Sequence, residues 1–237
     1  MLAVTSFSPQ GYIDYGRHCI DTLSKHWPGR IVAYVETDTD MPDRVESRSF
    51  HAIPGWEAWH ARASKHAGSD GTTGRGYDFR YDALKFARKV FAQDASFDED
   101  QYVYWIDADC VVRKPIPEEL LTRILSDVAL AFLGRNGNQT YTETGLIGFN
   151  TKHADFQRFR DNYLPWITSG KIFSQLKGWH DCIAFDQARQ NIRANNMTPR
   201  GEGMGNVIGD SPLGEYMAHH KGARKFSQKH LERSLAV

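Results

Sequence analysis

The chain has 237 residues, 41% of them hydrophobic, and its 29 Lys+Arg balance 29 Asp+Glu. That length supports one sizeable core, and a formal net charge of zero supplies no overall field toward nucleic acid or an anionic membrane. Three cysteines, Cys19, Cys110 and Cys182, lack any C-x-x-C spacing and argue against both a disulfide framework and structural zinc.

No run approaches 18 apolar residues. The first seven residues carry neither a basic start nor a long apolar stretch, so a cytoplasmic protein without a spanning helix is expected. Residues 2–7 read as a short strand, broken by Ser8-Pro9-Gln10-Gly11. Residues 12–27, with apolar positions at 12, 13, 19, 20 and 23, fit an amphipathic helix that Pro28-Gly29 stops. Residues 31–35 form a second strand, ending in Glu36-Thr37-Asp38. Strand, helix and strand at this spacing predict a βαβ unit and an α/β fold with a mostly parallel sheet flanked by helices.

Residues 39–76 read as irregular. Glycines 68, 71, 74 and 76 mark a surface loop or, alternatively, a lid over a bound substrate; no Gly-Lys-Ser/Thr ending makes it a phosphate-cradling loop. The spacing predicts a helix over 77–93, with Ala83, Leu84, Ala87, Val90 and Phe91 as its apolar stripe. Lys85 and Lys89 lie one turn apart on another face, with Arg80 a little earlier. They either face a nucleotide diphosphate or form a solvated charged face.

Asp107-Ala108-Asp109 is the most informative segment. It closes the apolar run Tyr102-Val103-Tyr104-Trp105-Ile106, which reads as a buried strand. Residues i and i+2 of an extended chain share a side, so Asp107 and Asp109 present two carboxylates to one point at a strand end, where ligands of open α/β sheets bind. Close carboxylates repel unless a cation lies between them, and hard oxygen ligands suit Mn²⁺ or Mg²⁺ carried with phosphates.

Beyond this segment, Pro115 and Pro117 open a helix near 118–126, and 128–133 reads as a strand. Residues 144–150 are a glycine-punctuated strand with Glu143 beside it. Residues 156–167 and 181–192 read as helical, and 195–214 as a long loop. Asp181 opens its helix either as a cap or as an acid–base or positioning group. Without internal repeat or linker, residues 1–237 read as one domain. Near the end, His219 is an imidazole ligand candidate, with His220 as the alternate. Gly222 admits close backbone approach, and Arg224 and Lys225 suit phosphate.

These residues carry a resemblance. Asp107-x-Asp109 followed by His219-x-x-Gly222-x-x-Lys225 resembles the paired motifs of GT-A-fold, metal-dependent glycosyltransferases, similar to family 8, the glycogenin-like and lipopolysaccharide-galactosyltransferase group with bacterial and phage relatives. The resemblance implies a single Rossmann-like GT-A domain in which Asp107, Asp109 and His219 hold Mn²⁺ (or Mg²⁺). Residues 219–237 would close over the donor diphosphate, with Gly222 and Lys225 as contacts. Thr5 and Phe7 would seat the nucleotide base, and Glu36 and Asp38 are base or ribose contacts. Arg80 and Lys85 would face the diphosphate, and Ala108 belongs to the donor contacts. Glu143 and Asp181 would stand at the reacting sugar. Where the family often continues with Pro-Trp, this chain has Phe226-Ser227.

The implied reaction transfers a sugar from a nucleotide-diphosphate donor, UDP by the family's habit, to an acceptor hydroxyl with retention. The acceptor is a glycan, a lipid-linked sugar or a small molecule. Alternatives are a hydroxymethylpyrimidine base in phage DNA and a non-catalytic sugar-nucleotide-binding role.

Overall fold

The structure is a computed structural model that describes residues 1–135, 141–175, 177–199, 207–220 and 222. Its strands are β1 (Leu2–Phe7), β2 (Arg30–Val35), β3 (Val45–Ser49), β4 (Thr72–Thr73), β5 (Gly76–Tyr77), β6 (Tyr102–Ile106), β7 (Cys110–Val112), β8 (Leu130–Leu133), β9 (Glu143–Asn150), β10 (Ala194–Asn196) and β11 (Met217–His219). Seven of them make the central sheet in the order β10-β8-β9-β6-β1-β2-β3. All run parallel except β9, which is antiparallel to both neighbours, β6 and β8.

Helices cover both faces of this sheet, which is why its inner strands are apolar at consecutive rather than alternate positions. Leu2 and Val4 of β1, Val103 and Trp105 of β6, and Ile147 and Phe149 of β9 enter one core with the helices Trp56–Ala63, Ala83–Ser96, Phe156–Thr168 and Asp181–Ala188. Ala3 and Phe7, Tyr104 and Ile106, and Leu146 enter the other, against the helices Arg17–His26 and Glu118–Leu125. Among the described residues, no helix is long and apolar enough to cross a membrane.

Several boundaries differ from the sequence reading. The predicted helix over 12–27 is split: a π-helical turn spans Tyr12–Gly16 before the α-helix Arg17–His26. Residues 39–76 are not irregular throughout. They contain edge strand β3 and the helix Trp56–Ala63, which buries Trp56 and Trp59. The helix predicted from 77 begins at Ala83, because the Asp82 side chain accepts the Lys85 backbone N–H and caps it there. Inside the predicted loop 195–214 lie the end of β10 and a 3-10 turn at Val207–Asp210. The two pairings outside the central sheet, β4 with β5 and β11 with β7, are absent from the sequence reading. The second of these builds the site.

Candidate active site at the carboxyl end of the central strands

Asp107 leaves β6 at the strand's carboxyl end, and its N–H donates to the Gly145 carbonyl of β9 at 2.8 Å. A tight turn follows, in which the Cys110 N–H donates to the Asp107 carbonyl at 2.9 Å. The chain then runs on as β7, and β11 pairs antiparallel with it, setting His219 opposite Cys110. The His220 N–H donates to the Asp109 carbonyl at 2.9 Å and locks this register. The His219 side chain is thereby brought to Asp109, with Nε2 2.9 Å from Oδ1. Its Nδ1 lies 3.8 Å from Glu143 Oε1.

His219 is the hinge of two possible ligand groups. One joins it to Asp107 and Glu143, the other to Asp109 and Cys110, with the ligand atoms in each group within 4.8 Å of one another. Glu143 is buried, receives the Gly145 N–H at 3.1 Å and forms an ion pair with Arg135. Carboxylate oxygens with one imidazole are the donor set of a hard divalent cation such as Mn²⁺ or Mg²⁺, and the residues present fit such an ion.

Gly145 makes room for the histidine. A Cβ there would stand 2.5 Å from His219 Cε1 and 2.7 Å from Nδ1. Gly145→Ala is therefore expected to push His219 out of register with Asp109 and to destabilise the fold by about 1–3 kcal/mol. Urea unfolding would read the loss, and an unchanged midpoint would mean that the imidazole moves aside freely.

Beneath the carboxylates lies a buried ionic group that the sequence reading did not assemble. Lys89 Nζ is 2.8 Å from Asp107 Oδ1 and 2.9 Å from Asp181 Oδ2, and it donates to the Thr144 carbonyl. All three ammonium donors are thus engaged. Asp107 Oδ1 also accepts the Trp105 indole N–H at 2.6 Å, so both donors fall on one oxygen of that carboxylate. The Thr144 hydroxyl donates to Asp181 Oδ2 at 2.6 Å.

Burial by itself pushes the Asp181 carboxyl up. Lys89, the Thr144 hydroxyl and His180 outweigh it and hold the group below the usual carboxylate range. Burial likewise pushes the Lys89 ammonium down, and Asp107 and Asp181 more than reverse that. Tyr15, on the π-helical turn, is pushed up to about 12 by burial and then by the charges of Asp109, Asp107 and Asp14.

The remaining candidates are more dispersed. Thr5 is fully buried and its hydroxyl has no hydrogen-bond partner among the described residues, while Phe7 packs its ring 5.1 Å from Tyr12. Glu36 stands 3.2 Å from Arg88, and Asp38 is exposed. Arg80 is exposed and paired with Asp78 at 2.6 Å, and Lys85 is exposed. The Arg80 carbonyl accepts the Trp179 N–H, which ties the segment before Asp181 to the segment before helix Ala83–Ser96. Gly178 serves this crossing: its φ of +146° and a Cβ position 2.7 Å from the Arg80 carbonyl oxygen both favour glycine. Ala108 is buried, and Gly222 is exposed with φ +59°. Arg224 and Lys225 lie outside the described residues.

No family model matches the sequence, and neither does any curated protein sequence. Among solved structures, the chain is similar to the bifunctional glycosyltransferase WbbM at 13% identity and TM-score 0.51, over 84% of this chain and 38% of that one. Mouse xyloside xylosyltransferase 1 aligns at 9% identity and TM-score 0.49 over 80% of this chain and 81% of its own. GlyE of Streptococcus pneumoniae aligns at 13% identity and TM-score 0.47, over 82% and 45% of the two chains. The likeness to WbbM is one of fold: the chain shares the α/β fold of that glycosyltransferase. It spans little more than a third of WbbM's length.

Proposed function

We propose that the chain is a metal-dependent glycosyltransferase that moves a sugar from a nucleotide-diphosphate donor, UDP-linked by preference, to an acceptor hydroxyl. The observation that carries this reading is the meeting of Asp107, Asp109 and His219 at the carboxyl end of β6, in a glycosyltransferase fold. When bound there, Mn²⁺ or Mg²⁺ supplies Lewis-acid stabilisation of the leaving diphosphate.

The chain's own residues do the rest. Asp107 and Asp109 offer oxygen ligands, and His219 offers an imidazole nitrogen. Arg224 and Lys225 follow closely enough in sequence to neutralise diphosphate oxygens. Glu143 and Asp181 act on the reacting sugar by position. Asp181 is fully buried and engaged with Lys89 and Thr144. A general base needs open hydrogen-bond reach to the acceptor proton, so this placement favours an orienting role; retention of configuration is proposed only through the resemblance to family 8. The family 8 group is the proposed affiliation. A glycan, lipid-linked sugar or small molecule is the proposed acceptor.

A panel of nucleoside diphosphates with and without Mn²⁺, read by thermal shift, tests the donor site. A ligand at ~100 times its dissociation constant adds about 2.7 kcal/mol, a rise on the order of 5–10 °C for a chain of this size. The expected result is a rise with one diphosphate only when metal is present. A panel flat throughout, joined to absent hydrolysis of sugar nucleotides, would remove the reading.

A further inference from the structure

Among the described residues, charge at the site does not balance. Asp107, Asp109, Glu143 and Asp181 bring four carboxylates together, against the cations of Lys89 and Arg135. Among the described residues these carboxylates exceed the two cations by two charges, the charge of one divalent cation. The two resident cations are placed differently. Arg135 pairs with Glu143, whereas Lys89 reaches the carboxylate that closes β6 and the one buried behind it.

We propose that Lys89 is a resident counter-cation: it holds Asp107 and Asp181 together without the divalent ion and keeps the ion's affinity low until a diphosphate arrives with it. The proposal rests on the metal–diphosphate reading above and assigns a role to a side chain which that reading leaves unused. Two facts support it. The Lys89 side chain is only 8% exposed, so its charge is poorly screened and acts strongly on its neighbours. Lys89 and Trp105 both bind Asp107 Oδ1, so the carboxylate is held in one orientation while, among the described residues, no hydrogen bond reaches its Oδ2. The ammonium therefore stabilises the empty site and opposes a second cation beside it. A diphosphate brings its own negative charge, offsets that opposition, and makes the metal–nucleotide complex the species that binds.

The test is calorimetric titration of the full chain with MnCl₂, alone and in the presence of UDP. Wild type is expected to bind Mn²⁺ at least about tenfold more tightly with UDP than without it. Lys89→Met removes one positive charge that touches a ligand carboxylate and should tighten Mn²⁺ binding without nucleotide by about tenfold or more. Lys89→Arg keeps the charge and should stay close to wild type; a purely geometric role would instead make it resemble Lys89→Met. Asp181→Asn keeps Lys89 and deletes one negative charge, so it should weaken Mn²⁺ binding. It carries the test if Lys89→Met does not fold.

Mn²⁺ affinities in Lys89→Met and Asp181→Asn equal to wild type would overturn the proposal while leaving the metal site intact. Absence of Mn²⁺ binding to wild type even with UDP would instead overturn the metal–diphosphate reading itself.

Discussion

Asp109→Ala is expected to lower metal-dependent donor turnover by at least about 100-fold while lowering the melting temperature by only a few degrees. The asymmetry follows from where the residue sits. Its carboxylate is 2.9 Å from His219 Nε2 at the carboxyl end of the sheet, and its side chain retains some exposure. Its carbonyl, which holds the His220 N–H, survives the substitution, so β11 keeps its register against β7. The change therefore removes the proposed oxygen ligand and the partner of the imidazole, and leaves the strands in place. Loss of an outer-shell partner alone commonly costs 10–100-fold at metal sites, and loss of a ligand exceeds that. Steady-state turnover at saturating Mn²⁺, with a melting curve on the same sample, measures both halves. Turnover within threefold of wild type would show that Asp109 takes no part.

The largest stability effect is expected at Lys89. Lys89→Met leaves Asp181 fully buried with its charge unpaired, and breaking a buried pair from one side costs about 3–5 kcal/mol. For a chain of this length that is a fall on the order of 6–20 °C. Replacing both partners, as in Lys89→Met with Asp181→Leu, should recover most of the loss, because an apolar pair of similar volume has no charge to desolvate. Guanidinium unfolding of the two single variants and the double gives the coupling between them; additive losses would sink the argument.

The pair also sets a pH dependence. The folded Asp181 carboxyl lies below its unfolded value of about 3.9, so its contribution is complete above that pH. It is lost as pH falls through the depressed folded value. Asp181→Asn should therefore be less sensitive to acid below about pH 4 than wild type is.

The apolar run 102–106 followed by two aspartates is a strong local signal, because a buried parallel strand and a polar strand end leave their mark in consecutive residues. It located the carboxylates. His219 was reached through motif spacing, and β11 gives that spacing its physical form. Lys89 was harder to place. It lies off the apolar stripe of its helix, and only the arrival of β6 and Asp181 from distant parts of the chain makes that side an interior one. The Trp105 indole N–H on Asp107 was hidden for a related reason, since the residue reads simply as apolar within its strand. Strand β3 escaped notice because only Val45 of its five residues is buried, so no alternation marks it. The helix Trp56–Ala63 begins after a left-handed Gly55 with no side-chain cap, which leaves no start signal in the sequence.

The pairing of β11 with β7 has a consequence for how the protein is made. Every strand of the central sheet lies within the chain up to Asn196, so a nascent polypeptide can complete that sheet before Met217 leaves the ribosome. At synthesis rates of about 5–20 residues per second, folding of the sheet has time to run ahead of the histidine. The order is therefore scaffold first and chemistry last. A chain ended shortly before Met217 would keep all seven central strands but lack the imidazole, and it would leave the edge of β7 and the core place of Met217 uncovered, so premature termination is expected to give inactive, aggregation-prone protein.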